Sequence, residues 1–240
     1  MPLLETGSGI LYLLPVWLGD HGGVGDMPVV NMDVVRRVTL YFAEHEKTAR
    51  HMLRRLVPDI DLPSLEIQRL DKDSDAATVS EYVRMIRAGR DAAIVSEAGM
   101  PGIADPGAEL VRAAHRSGVR VVPLVGPSSV LLALAASGLN GQRFTFHGYL
   151  PREQPERQKS LRALENEVQR TGAAQLFIET PYRNEAVLSD LLRTCSGATL
   201  LCIACDITQP GEFIRTLQVA EWKKQVPALK DRPTVFILGS

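Results

Sequence analysis

The sequence is poor in cysteine, in aromatic residues and in net charge, and the shortages of cysteine and of charge each exclude a class of function. Three cysteines in 240 residues, Cys195, Cys202 and Cys205, are too few for a disulfide framework and suit reduced thiols. Cys202 and Cys205 form a C-x-x-C, but inside a stretch that reads as a strand, where such neighbours point to opposite faces. Further thiol or imidazole ligands are missing nearby, so buried structural cysteine is the better reading and no metal site is expected. A formal net charge of −1 gives no global attraction to nucleic acid, which leaves such contact to a local basic patch. No apolar run approaches the roughly 20 residues of a membrane span, and Met1–Gly9 has neither the basic segment nor the apolar core of a signal peptide. The expectation is a cytoplasmic protein without membrane contact. What the chain does have is 45% hydrophobic residues, enough for two domains of ordinary size.

The densest local signal runs from Asp91 to Gly107. Ala92–Val95 is an apolar run between Gly89 and Gly99 that reads as a buried strand, and Leu110, Val111 and Ala114 read as one face of a helix. The loop between them holds Gly99, Gly102 and Gly107 with Pro101 and Pro106. In open α/β sheets that carboxyl edge is where ligands bind, and glycine with proline brings backbone close to a ligand while holding its own shape.

Before this loop the chain alternates strand and helix: strands at Gly9–Pro15, Thr39–Ala43 and Leu65–Leu70, helices at Asn31–Val38, Lys47–Leu56 and Ala76–Arg87. Asp75 or Ser74 is a candidate N-cap for the last of these and Gly89 its stop. Val119–Val125 is a further strand, so the first domain, residues 1–124, is a βα repeat with a mostly parallel sheet. The glycines after the first strand fit neither G-x-G-x-x-G nor a phosphate-binding loop. Gly126-Pro127-Ser128-Ser129 marks the hinge, with Ser128 or Ser129 capping the helix Val130–Ala136 that Gly138 ends. The second domain, residues 125–240, reads as strands at Arg143–Gly148, Ala174–Ile178, Thr199–Ile207, Phe213–Val219 and Pro233–Leu238 with helices at Pro155–Arg170 and Glu185–Leu192. Its sheet is expected to be mixed.

The ordered set Glu97-Ala98-Gly99-Met100-Pro101, Asp105-Pro106-Gly107, Gly126-Pro127-Ser128-Ser129 and Glu179-Thr180-Pro181-Tyr182-Arg183 resembles the tetrapyrrole methylase superfamily. Within it, the chain is most similar to the bacterial 16S ribosomal RNA cytidine ribose 2′-O-methyltransferases. The likeness spans nearly the whole chain, with departures: Pro15–Asp20 stands for a Thr-Pro-Ile-Gly-Asn loop, Glu44-His45-Glu46-Lys47-Thr48 for a Glu-Asp-Thr-Arg segment, and Glu97, Met100 and Tyr182 for Asp, Thr and His. The resemblance implies two α/β domains with S-adenosylmethionine in the cleft between them, and a homodimer.

Methyl transfer from a sulfonium is an in-line displacement, so it needs chiefly a slot that aligns the nucleophile with the methyl. Gly99 and Pro101 are candidates for close backbone, beside Glu97, Ala98 and Ile103. Ser128 and Ser129 offer hydroxyls at a helix N-terminus. The resemblance adds Ile178, Glu179, Thr180, Asp206, Ile207, Pro233 and Thr234 as cofactor walls in the second domain. Candidates for a general base are Asp20, Glu44 and His45, the last because imidazole titrates near neutrality. Tyr182 and Arg183 are candidate substrate contacts, and Arg157 and Lys159 lie in the segment Pro151–Arg162 that matches a basic region of the ribosomal RNA enzymes. The expected partner is therefore ribosomal RNA. A small-molecule acceptor such as a tetrapyrrole, and a degenerate donor-binding module, stay open as alternatives.

Overall fold

A computed structural model describes residues 7–240, so most of Met1–Gly9, examined above for leader signals, lies outside the described residues. The chain divides into two compact units, Met1–Pro127 and Ser128–Ser240.

The first unit contains β1 (Ile10–Leu14), α1 (Val29–Arg37), β2 (Leu40–Ala43), α2 (Glu46–Leu56), β3 (Glu66–Arg69), α3 (Ala76–Arg87), β4 (Ala92–Val95), α4 (Ala108–Arg116) and β5 (Arg120–Pro123). Its five strands form one sheet in the order β3-β2-β4-β1-β5, every pair parallel. Side chains alternate across a strand, and the sheet's two faces accordingly bury different sets. Tyr12, Leu14, Tyr41 and Val95 pack with Val34, Val35, Leu53 and Leu56 of α1 and α2. On the other face Leu11, Phe42, Ala92 and Ile94 pack with Val79, Val83, Ile86 and Leu110 of α3 and α4. Burial on both faces is why β2 and β4 read as unbroken apolar runs rather than as alternating ones. The cap expected for α3 is present: the Thr78 amide donates to Asp75 Oδ1 at 2.8 Å. β5 ends at Pro123, short of the expected Val125, although the Leu124 amide still donates to Leu13 O at 3.0 Å; β5 is an edge strand, where a proline nitrogen can face away from the ladder.

The second unit contains α5 (Ser129–Ser137), β6 (Phe144–Tyr149), α6 (Gln154–Thr171), β7 (Ala174–Ile178), α7 (Asn184–Thr194), β8 (Leu200–Cys205), β9 (Phe213–Gln218), α8 (Val219–Trp222) and β10 (Thr234–Gly239). The sheet order is β6-β7-β10-β8-β9. Only β6 and β7 pair in parallel; the remaining pairs are antiparallel, so the sheet is mixed. Phe177, Phe236, Ile203 and Trp222 pack with Leu161, Leu164, Val187 and Leu191 of α6 and α7. Gly138 closes α5 in the left-handed conformation at φ 71°, as expected of a C-terminal glycine. Ser128 takes the N-cap position, but its hydroxyl makes no capping bond. Val219, read as the end of a strand, instead starts α8, whose first turn is closed by the Gln218 amide donating to Glu221 Oε2 at 3.0 Å. All three cysteines are free and buried, and burial pushes the Cys195 thiol up to about 12, which keeps it protonated and inert. Among the described residues no helix is long and apolar enough to cross a membrane.

Candidate functional site

Because β1, β2 and β4 run parallel, the loops that follow them open at one edge of the first sheet. Gly99 in the loop after β4 meets Val16 after β1 in an isolated antiparallel bridge. The Val16 amide donates to Gly99 O at 3.0 Å and the Gly99 amide to Val16 O at 3.2 Å. Both polar backbone groups of Gly99 thus serve Val16, and what it offers a ligand is its bare Cα. Its φ is +70°, and a Cβ built there would lie 3.0 Å from Leu18 Cδ2 and 3.4 Å from Pro127 O, so both conformation and space require glycine. Pro101 is buried behind it, while Ala98 and Ile103 are exposed.

The same edge carries charge. Glu44 and His45 follow β2, Ser96 and Glu97 follow β4, and the pairing of these strands brings His45 Nδ1 to 3.3 Å from Glu97 Oε1. Asp105, beyond Ala104 at φ +59°, joins this group. Burial pushes the Asp105 carboxyl up to about 6; the charges of Glu44 and Glu97 add to the rise, and Ser96 and the Glu97 amide hold it back. Asp20, by contrast, is exposed on the loop after β1. That loop is fastened from α2. The Arg55 guanidinium lies 4.4 Å from the centre of the buried Trp17 ring. It donates to the carbonyls of Gly19, Asp20 and Gly22 at 3.4, 3.1 and 2.9 Å, while Trp17 Nε1 donates to Gly23 O at 2.9 Å. Neither Arg55's role nor Asp105's was legible in the sequence. Asp105 carries a weak signal, a carboxylate set between Ile103-Ala104 and Pro106-Gly107; Arg55 carries none, since its partners are more than thirty residues away.

In the second unit, antiparallel pairing collects the candidates at one end of the sheet. Val235 is in register with Ile178 and Thr234 with Cys205, and the Asp206 amide donates to Pro233 O at 2.9 Å. Ile178, Glu179, Thr180, Asp206, Ile207, Pro233 and Thr234 therefore form one neighbourhood. Glu179 is buried; its Oε1 accepts from the Thr180 amide at 2.8 Å. Its Oε2 accepts no hydrogen bond among the described residues and faces the Arg183 guanidinium at 3.3 Å. Asp206, in the left-handed region at φ +50°, receives Arg232 Nε at 2.7 Å.

Residues 21–222 match the family described as Tetrapyrrole (Corrin/Porphyrin) Methylases. The chain belongs to the tetrapyrrole methylase family. Among its relatives, a protein of Micromonospora olivasterospora named ribosomal RNA small subunit methyltransferase I is 35% identical over 212 residues, 88% of this chain and 64% of that protein. Proteins of the same name from Xylella fastidiosa and Bacillus subtilis are each 33% identical, over 85% and 88% of this chain and 72% and 68% of theirs. The chain thus spans about two thirds of the length of these relatives. A solved structure of the methyltransferase CobJ shares the fold at 18% identity, with a TM-score of 0.64 over 97% of this chain and 95% of that one. A uroporphyrin-III-C-methyltransferase from Thermus thermophilus does so at 18% identity with a TM-score of 0.55, over 96% and 92%.

Contact with a phosphate backbone needs exposed cations, and among the candidates for such contact the structure revises the inventory. Arg157 is buried, and Nε and Nη2 donate to Asp190 Oδ2 at 2.8 and 2.6 Å, while Nη1 donates to Arg152 O at 2.6 Å. It cannot grip a phosphate without abandoning a buried carboxylate, so the expected substrate role is withdrawn. Lys159, two residues on, is exposed, as are Arg152 and Arg162. Several arginines of α1 and α2 are likewise engaged within the protein. Arg37 donates to Tyr12 Oη, Arg50 to Glu46 and the Leu62 carbonyl, Arg55 to the loop after β1, and Arg36 pairs with Asp33. Arg183 is turned inward to Glu179 and the Arg152 carbonyl, whereas Tyr182 is 67% exposed and open to a partner.

Proposed function

We propose that the protein is an S-adenosylmethionine-dependent methyltransferase of small-subunit ribosomal RNA, acting on a ribose hydroxyl. The observation that carries this reading is the extent of likeness to the relatives named for that RNA, together with the retention in one chain of the loop Glu97–Gly107 and the segment Glu179–Arg183. A sulfonium donor supplies an activated methyl group, so the protein's task is to hold donor and hydroxyl in line and exclude water. The residues present suit such a donor. The buried Glu179 has one oxygen that faces the Arg183 guanidinium at 3.3 Å but accepts no hydrogen bond among the described residues, so it can still accept from a ribose hydroxyl or an ammonium group. Ser128 is a buried hydroxyl at a helix start, and the bare Cα of Gly99 admits close approach. We assign Glu97, Ala98, Gly99, Pro101, Ile103, Ser128, Ser129, Ile178, Glu179, Thr180, Asp206, Ile207, Pro233 and Thr234 to donor binding. Tyr182 and Lys159 are assigned to RNA, a homodimer is the working assembly, and the cytoplasm is the compartment. Labelled donor with small ribosomal subunits tests the reading: label in ribose of the small-subunit RNA is expected, and donor binding by calorimetry without any RNA labelling would move the acceptor to a small molecule.

A further inference from the structure

His45 and Glu97 are 52 residues apart in sequence, yet the parallel pairing of β2 with β4 sets His45 Nδ1 3.3 Å from Glu97 Oε1. The pair stands at the carboxyl edge of the sheet, His45 after β2 and Glu97 on the loop after β4 that also carries Gly99. A carboxylate at Nδ1 selects the tautomer in which Nδ1 carries the proton and Nε2 keeps a bare lone pair, and it stabilises the imidazolium that forms when Nε2 takes a proton. The His45 side chain is 64% exposed and that of Glu97 38%. A structural ion pair so exposed adds little stability, whereas a base for a large incoming acceptor has to be reachable.

Resting on the proposed methylation of a ribose hydroxyl, we infer that His45 is the general base of the reaction and Glu97 its positioning residue. As the acceptor oxygen forms its bond to the methyl carbon, the carbon–sulfur bond of the donor breaks and its electron pair stays on sulfur. The hydroxyl proton passes to His45 Nε2, leaving an imidazolium opposite the Glu97 carboxylate, and is later lost to water. The surroundings are consistent with a proton-accepting site: Glu44 on the same segment and Asp105 across the loop are the other charged groups of the cluster, and both are anionic when ionised.

Three measurements test this. Nitrogen NMR of the free protein is expected to show His45 in the Nδ1-protonated tautomer, a preference lost in Glu97→Gln; an Nε2-protonated His45 in the parent overturns the inference whatever the acceptor proves to be. With small-subunit RNA as acceptor, His45→Ala is expected to lower kcat by about a hundredfold or more, with donor affinity intact. Its rate is expected to respond to added imidazole, which a merely structural role would not produce. Full turnover in His45→Ala, in a parent that does label RNA, overturns the assignment; a parent that labels no RNA overturns the proposed function and leaves the tautomer result standing.

Discussion

Gly99 and Val16 exchange both of their backbone hydrogen bonds, at 3.0 and 3.2 Å, and thereby lock the loop after β4 to the segment after β1. A two-bond bridge outside any strand fixes the relative height of two loops that start from neighbouring strands. In the proposed donor site, this loop would therefore act through the geometry set by Gly99 rather than through its polar groups.

Gly99→Val should abolish donor binding while leaving a folded protein. A side chain at φ +70° meets Leu18 at once, and the left-handed conformation itself costs roughly 1–2 kcal/mol for a residue with Cβ. Calorimetry should show no donor heat with the thermal unfolding still cooperative; normal donor affinity in this variant would mean the loop lies elsewhere than at the donor.

Replacing Arg55 should loosen one loop and little else. Its planar fork serves the carbonyls of Gly19, Asp20 and Gly22 together with the Trp17 ring, a geometry that lysine cannot reproduce. In Arg55→Lys, amide exchange across residues 18–25 should rise by about tenfold or more, equal to about 1.4 kcal/mol of local stability, with β1 exchange unaltered. An unchanged exchange pattern would show the contacts to be idle.

The Arg157–Asp190 pair should behave as a buried ion pair and the exposed Lys159 as a surface cation. Burial pushes the Asp190 carboxyl up, but hydrogen bonds from Gln154, Gln158 and Arg157 hold it below the usual range. Asp190→Ala leaves a guanidinium buried and unpaired, an expected loss of about 3–5 kcal/mol by denaturant titration, while Arg157→Met with Asp190→Leu together should recover most of it. Lys159→Glu should change stability by less than about 0.5 kcal/mol yet weaken RNA binding at low salt. Equal stability losses in Asp190→Ala and Lys159→Glu would contradict the assignment.

Asp105 gives stability a pH dependence of unusual sign for a carboxylate. Its folded value, about 6, lies above its ordinary 3.8, so the folded state holds the proton more tightly than the unfolded chain does. Stability contributed by the protonated group is present below about pH 4 and is lost as pH rises to about 6. Asp105→Asn should thus gain stability relative to the parent as pH climbs through that window, measured as the difference between their melting temperatures at each pH. A difference that stays flat from pH 4 to pH 7.5 would place Asp105 in solvent.

Much of the architecture was legible because it rests on local pattern. β4 and β7 occupy the residues expected of them, and α3 starts at Asp75 as its capping chemistry requires. The unbroken apolar runs of β2 and β4 fit the parallel first sheet, whereas β8 and β10, equally unbroken, pair antiparallel. Less legible was everything that depends on which strands become neighbours. The meeting of His45 with Glu97, and of Gly99 with Val16, needs the order β3-β2-β4-β1-β5, which hydrophobic periodicity does not encode. Arg157 was misread for a related reason. On a charged helix an arginine reads as solvated until Asp190 of a distant helix is known to lie beside it.

The strand order of the second sheet bears on synthesis. β7 and β8 do not touch each other through hydrogen bonds; β10 lies between them and serves both. During translation the first sheet can close as soon as β5 has emerged, whereas the second keeps two open edges until residues 234–239 arrive. Those edges, at β7 and β8, are apolar and unprotected for that interval, the condition under which nascent chains misassociate. The unit bearing Glu179 and Asp206 is thus the late-maturing half of the molecule, and its vulnerability on the ribosome is set by the position of one strand.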